Sequence, residues 1–161
     1  MQIELPERKP NRLPAYDYSE NGAYFITFCT KGHVPLLSHV VAGESPNTPC
    51  KTVMTSIGLA VDEAIKAIAE HYCGIHTAKY VIMPNHVHML LCIEKAENAG
   101  PSVSRIIKEL KTRVTKQVGA AIWQKSFYDH IIRNWEDYET RYRYIDNNPA
   151  NWLLRRDEYY L

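Results

Sequence analysis

The chain has 161 residues, with 19 lysines and arginines against 18 aspartates and glutamates, a formal net charge of +1 and 45% hydrophobic residues. Those proportions fit one ordinary globular domain, which at this length buries roughly 70% of the surface its unfolded form exposes and needs no disulfide or structural metal to hold a core. They exclude a disulfide-stapled mini-protein, and the balanced total charge by itself argues weakly against a nucleic-acid partner.

The opening Met1-Gln2-Ile3-Glu4-Leu5-Pro6 lacks the basic start and apolar segment of a signal peptide, and no stretch approaches ~18 uncharged apolar residues. Neither secretion nor membrane spanning is expected. Cys29, Cys50, Cys73 and Cys92 lie far apart with no Cys-x-x-Cys pair, the pattern of reduced thiols in a cytoplasm.

Residues 1–20 mix charge, three prolines and two tyrosines without periodicity and read as an irregular arm across the surface. Asn21-Gly22 is a turn signal, and the aromatic and β-branched run 23–30 predicts the first strand. Residues 43–51 hold two prolines among small polar residues and predict a loop. Val53, Ile57, Val61, Ala64, Ile65 and Ile68 then recur at helical spacing, which predicts an amphipathic helix over 52–71, stopped by Gly74. Residues 76–83 and 86–93 are apolar strand-like runs joined by Pro84-Asn85, so an antiparallel hairpin is expected, central in its sheet and covered by helices on at least one side.

After a loop over 97–101, Val103, Ile106, Ile107, Leu110, Val114 and Val118 form another helical stripe. Arg105, Lys108, Lys111, Arg113 and Lys116 fall mostly off that stripe, with Glu109 their sole acidic counterpart between residues 102 and 119. Such a helix buries its apolar side and offers cations outward, which makes it the candidate basic patch. Residues 127–133 predict a fourth strand, and Asn134 suits the N-cap of a last helix running through Asn147 and ended by Pro149. Its expected buried stripe is Trp135, Tyr138, Tyr142 and Ile145.

The order strand, helix, strand, strand, helix, strand, helix, with no dividing linker, predicts a single domain over 1–161. Its class is α+β: a ferredoxin-like antiparallel sheet with helices packed on it and an additional C-terminal helix.

Two constellations can carry chemistry. In a strand, His86 and His88 point to the same face, and two neutral imidazoles so placed can share a metal ion. The same spacing equally describes two hydrogen-bonded histidines at the mouth of a hairpin. On the last helix Tyr144 stands off the buried stripe, with Asn148 four residues on and Arg141 beside it, so a phenol and an amide face the same way. Spacing alone also fits an exposed surface tyrosine whose neighbour closes the helix. His33, His39, His71 and His76 join no such pattern, and nothing in the spacing of Asp129-His130 ties it to a site.

The run Tyr80-Val81-Ile82-Met83-Pro84-Asn85-His86-Val87-His88-Met89-Leu90, together with Tyr144-Ile145-Asp146-Asn147-Asn148-Pro149, resembles the REP-associated tyrosine transposases. These are relatives of the single-tyrosine insertion-sequence transposases, which share a His-hydrophobic-His pair. Tyr16-Asp17-Tyr18-Ser19, the segment 22–27 and the run from Trp123-Gln124 to Arg133 are similar to the same family, so the likeness covers nearly the whole chain.

The resemblance implies a metal-dependent endonuclease and strand transferase that cleaves hairpin-forming single-stranded DNA, namely REP-like palindromes, through a 5′-phosphotyrosine link. By the same resemblance Tyr144 is the nucleophile, and His86, His88 and Asn148 hold Mg²⁺ or Mn²⁺. Asn148 stands where many insertion-sequence relatives carry Gln. Arg105, Lys108, Lys111, Arg113 and Lys116 would track phosphates, and Tyr16 or Tyr18 would stack on an unpaired base. Asp129-His130 could support the metal site from behind. The implied setting is the nucleoid of a prokaryotic cytoplasm, and a homodimer is open because insertion-sequence relatives form one. The competing classes are a domesticated hairpin DNA- or RNA-binding protein that does not cut, and a metal hydrolase with a water nucleophile in which Tyr144 is incidental.

Overall fold

Strand β1 (Gly22–Cys29) sends Tyr24, Ile26 and Phe28 into one core and Phe25 into another, so a single strand organises both faces of the sheet. The computed structural model describes residues 22–94 and 100–159. Tyr16, Tyr18 and the expected arm lie outside the described residues, as does most of the loop expected over 97–101.

The elements that follow β1 are β2 (Ser38–Val41), β3 (Lys51–Met54), α1 (Ser56–His71), β4 (Ile75–Ile82), β5 (His86–Ile93), α2 (Val103–Val118), β6 (Tyr128–Ile131) and α3 (Trp135–Tyr159). The main sheet runs β4-β5-β1-β6 with antiparallel neighbours throughout. The helix α1 links β1 to β4 and α2 links β5 to β6, so each helix joins two strands separated by a third. That is the expected ferredoxin-like α+β arrangement, with α3 as the additional C-terminal helix.

Helices α1 and α2 cover the face carrying Tyr24, Ile26, Phe28, Val87, Met89 and Leu91. On α2 the side chains of Val103, Ile106, Ile107, Leu110 and Val114 are buried, each contributing about 1.5–3 kcal/mol of transfer free energy. Ser102 caps its start by accepting the Arg105 N–H, and Gly119, at φ +80°, closes its end in the left-handed conformation. The opposite face of the sheet is crossed by α3, whose Ile145 packs on Phe25 and Leu90.

Four expectations need correction. The helix predicted from residue 52 begins at Ser56, because the Thr55 hydroxyl accepts the Gly58 N–H as an N-cap. Residues 51–54 instead pair with Ser38–Val41 as a small second sheet, which leaves Val53 exposed. Pro149 does not end α3, which runs to Tyr159. A proline removes only one helical N–H, and here the residues around it, Ile145, Asn148 and Trp152, are buried and hold the helix together by packing. Trp135, expected in the buried stripe, is 70% exposed and stacks on Tyr138 at the start of the helix.

Among the described residues no helix is long and apolar enough to cross a membrane, and the four cysteines are free.

Candidate active site

The register of the sheet assembles the site. His86 pairs across the strands with Cys29, and His88 with Thr27, so both imidazoles rise on the face that α3 crosses. Each histidine is 6% exposed, and their ring centroids are 4.6 Å apart. The Nδ1 atom of His86 lies 2.6 Å from Asn85 Oδ1, and Nδ1 of His88 lies 2.6 Å from Thr27 Oγ1. Each ring therefore spends one nitrogen on a neighbour.

Burial sets the charge of the pair. Desolvation pushes the His86 pKa down to about 4, against a smaller opposing influence from the Asn148 side chain. His88 is held well below its ordinary value by burial first, then by His86 and Arg141. Both rings are neutral at neutral pH, the state in which an imidazole nitrogen can ligate a cation.

Tyr144 reaches the same place from α3. Its side chain is 41% exposed, and its ring stands edge-on to His88 at 5.2 Å and to Phe25 at 5.9 Å. Phe25 in turn stacks on His88 and carries the Arg141 guanidinium 5.1 Å from its ring centre. One turn beyond Tyr144, Asn148 is 1% exposed; its amide N–H reaches back to the Tyr144 carbonyl at 3.4 Å. Among the described residues its buried Oδ1 makes no hydrogen bond of good geometry, although the side chain acts on His86. A buried amide oxygen in that state is costly unless something else can bind it.

The orphaned oxygen and the two neutral imidazoles are the donor set that a divalent cation would need. Among the described residues no three of His, Cys, Asp and Glu converge, so any metal held here depends on an amide oxygen as its third protein donor. Two nitrogens and one oxygen suit Mn²⁺ or a softer ion better than Mg²⁺.

The helix is anchored on both sides of Tyr144. His130 Nε2 on β6 contacts Asp137 Oδ2 at 2.7 Å, Asn134 Oδ1 accepts the Asp137 N–H as the expected N-cap, and Lys79 on β4 pairs with Asp146 at 2.6 Å. Beyond Pro149, Trp152 packs 6.1 Å from the His86 ring. Thr27, Phe25 and Trp152 had no signal in the sequence read residue by residue, because only the strand register and the course of α3 bring them to the histidines, while Lys79 meets α3 at Asp146 and Asn85 adjoins His86 in the turn. His130 fastens the helix through Asp137.

The basic helix lies elsewhere. α2 packs on the other face of the sheet, so Arg105, Lys108, Arg113 and Lys116 are exposed on the side away from Tyr144. Lys111 is not one of an outward row: it is half-buried, and its ammonium donates to the carbonyls of Gln124 and Ser126 at 2.9 and 3.0 Å. Between α2 and residues 121–127 runs a groove of about 630 Å³, with Lys108, Lys116 and Lys125 among its walls beside Trp123 and Phe127. Its far wall is tied to the site end of the sheet, since Thr30 bridges Trp123 and the Gln124 N–H donates to the Cys29 carbonyl.

No protein-family model matches the chain. Over 98% of its length it is 27% identical to a Haemophilus influenzae protein without an assigned function, covering 95% of that protein. A second H. influenzae protein, provisionally described as a REP-associated tyrosine transposase, is 26% identical over 83% of this chain and 73% of its own length. The REP-associated tyrosine transposase of Escherichia coli K12 is 35% identical over 72 residues, 44% of this chain and 42% of that one. Among solved structures, a REP-associated tyrosine transposase bound to a REP hairpin superposes with a TM-score of 0.62 at 22% identity, over 87% of this chain and 73% of its own, and so shares the fold.

Proposed function

Since the chain is a relative of the REP-associated tyrosine transposases, a group of DNA-processing proteins, we propose that it cleaves and rejoins single-stranded, hairpin-forming DNA with Tyr144 as its nucleophile. The observation that carries this reading is the placement of Tyr144: exposed, ring against His88, and one turn before a buried Asn148 whose Oδ1 makes no hydrogen bond of good geometry among the described residues. An incidental surface tyrosine does not require two desolvated histidines and an orphaned amide beneath it.

In the reaction the Tyr144 oxygen forms a bond to phosphorus while the bond to the 3′ oxygen breaks. The phenol loses its proton and the departing 3′ oxygen gains one, leaving a 5′-phosphotyrosine and a free 3′ hydroxyl. The reverse attack by a 3′ hydroxyl rejoins the strand without ATP, because the phosphodiester energy stays in the covalent link. A free phenol ionises near pH ~10, so attack at neutral pH needs help in losing that proton. Arg141, whose guanidinium lies over Phe25 and acts on His88, brings a fixed positive charge to the same helix as Tyr144. His86, His88 and Asn148 would hold Mn²⁺ or Mg²⁺, which when bound polarises the scissile phosphate and stabilises the leaving oxygen.

Arg105, Lys108, Arg113 and Lys116 track phosphates of the bound DNA from the α2 face. A strand would pass from the site around the end of β1, where Thr30 meets Trp123, into the groove beside α2. Trp123 and Phe127 offer it stacking surface.

The test is incubation with 5′- and 3′-labelled hairpin strands taken from repeats flanking the gene, with Mg²⁺ or Mn²⁺, followed by a denaturing gel. The expected result is a covalent adduct carrying only the 3′-labelled fragment, absent in Tyr144→Phe. Cleavage without any adduct would favour a water nucleophile, and binding without cutting would favour a hairpin-binding module; either would overturn the tyrosine mechanism.

A further inference from the structure

Asn85 occupies the turn between β4 and β5, 1% exposed, with its carbonyl and both ends of its side chain engaged. Its backbone carbonyl accepts both the N–H and the hydroxyl of Thr30, at 2.9 and 3.1 Å. Its Nδ2 donates to the His33 carbonyl at 3.3 Å. A carbonyl oxygen can only accept, so this bond fixes which end of the carboxamide faces which way: the nitrogen points to His33 and Oδ1 points to His86. An amide oxygen also only accepts. The His86 Nδ1 that sits 2.6 Å from it must therefore carry the proton.

We infer that Asn85 is a positioning residue that fixes His86 as the Nδ1–H tautomer and so puts the ring's basic lone pair on Nε2. Thr27 performs the matching duty for His88 with one difference. A hydroxyl can donate or accept, so Thr27 orients the second ring without choosing its tautomer. One imidazole is thus preset to ligate, and the other adopts the ligating tautomer when the Thr27 hydroxyl turns to accept. The value of the arrangement rests on the metal reading above, but the tautomer itself does not, and the two can be tested apart.

The first measurement is the nitrogen spectrum of the full chain labelled with ¹⁵N-histidine, metal-free at neutral pH. A protonated Nδ1 and an unprotonated Nε2 are expected for His86, and a mixture of tautomers in Asn85→Ala. Asn85→Asp, which still accepts from Nδ1, should keep the wild-type tautomer. The second measurement is titration with Co²⁺. Asn85→Ala and Thr27→Val should bind it about 10- to 100-fold more weakly than wild type, and Thr27→Ser nearly as well, since outer hydrogen-bond partners typically carry that much affinity. A wild-type His86 protonated on Nε2 overturns the inference, as does unchanged Co²⁺ affinity in Asn85→Ala while His86→Ala has lost it. If the wild type takes up no Co²⁺, the metal reading falls and the nitrogen spectrum alone decides the tautomer. If Asn85→Ala does not fold, the wild-type and Asn85→Asp spectra decide it.

Discussion

Lys79 on β4 and Asp146 on α3 form an ion pair of 2.6 Å two residues beyond Tyr144, and the same ammonium stands 4.7 Å from the centre of the Tyr142 ring. The hydrogen bond to Asp146 is the main reason the Lys79 pKa is raised, outweighing the effect of its partial burial. A raised lysine contributes its stability below the unfolded value of about 10.4 and loses it only as pH climbs through the higher folded value, so the latch is intact across neutral pH.

The pair is half-exposed, and its removal should cost at most about 1 kcal/mol of stability. Its larger effect is on the phase of α3, because a nucleophile displaced by about 1 Å can lose a factor of 10² in rate. Lys79→Met should therefore melt within a few degrees of wild type yet cleave roughly 10- to 100-fold more slowly. Single-turnover cleavage beside a thermal melt checks this; a rate loss no larger than the stability loss would show that the latch does not aim the tyrosine.

The buried histidines make stability depend on pH in a direction that follows from their shifts. His86 has a folded pKa near 4 against about 6.5 when exposed, so between those values the unfolded chain binds the extra proton. Metal-free protein should be fully stabilised above about pH 6.5 and lose roughly 1.4 kcal/mol per pH unit from this ring as pH falls toward 4. His88, shifted the same way, adds to the slope. Chemical denaturation from pH 7 to pH 4 measures it, and His86→Gln should be flatter. An equal slope in that variant would place the acid sensitivity in other groups.

Period two places His86 and His88 on one face and the i,i+4 spacing sets Asn148 under Tyr144, but only the family resemblance joined the two pairs before the fold brought them together. The shell around them was not legible in the sequence. Thr27 meets His88 only because β1 pairs with β5 in one register, and no local pattern in residues 22–29 encodes which partner strand or offset is used. The basic stripe of α2 was equally visible, but the side of the sheet it covers depends on how the two crossovers pack, and it turned out to be the face away from the tyrosine. Trp135 misled because helical spacing cannot tell that the first turn of α3 is exposed where Ile145, further on, is buried. The β2–β3 hairpin escaped because four-residue strands containing Ser38, His39 and Lys51 carry little alternation.

Trp152 is part of that hidden shell, and it exists there only because α3 continues past Pro149. It is buried 6.1 Å from His86 and helps keep water from the imidazole. Truncation to Ala should cost about 3–5 kcal/mol, a large share of a typical domain's total stability. Trp152→Phe keeps most of the apolar cover and should fold. Because burial is the main cause of the low His86 pKa, the smaller ring should let it rise toward its ordinary value. A histidine NMR titration reads the change, and an unmoved pKa would mean that the desolvation comes from the sheet alone.

The lysines of α2 should separate by what their ammonium groups touch. Lys111 has lost water to burial, which lowers its pKa, and it donates to two backbone carbonyls of the segment carrying Trp123 and Phe127. Lys111→Met leaves those acceptors without their donor and should destabilise by about 1–3 kcal/mol. Lys108 and Lys116 are exposed beside the groove, so Lys108→Ala and Lys116→Ala should change stability by less than about 0.5 kcal/mol. Each should instead weaken hairpin binding and reduce the slope of log affinity against log salt by about 0.7, the value for one single-stranded phosphate contact. Binding titrations at several salt concentrations measure that slope. If both variants keep the wild-type slope, the DNA does not run along α2, and the path from the site must follow the exposed side of α3.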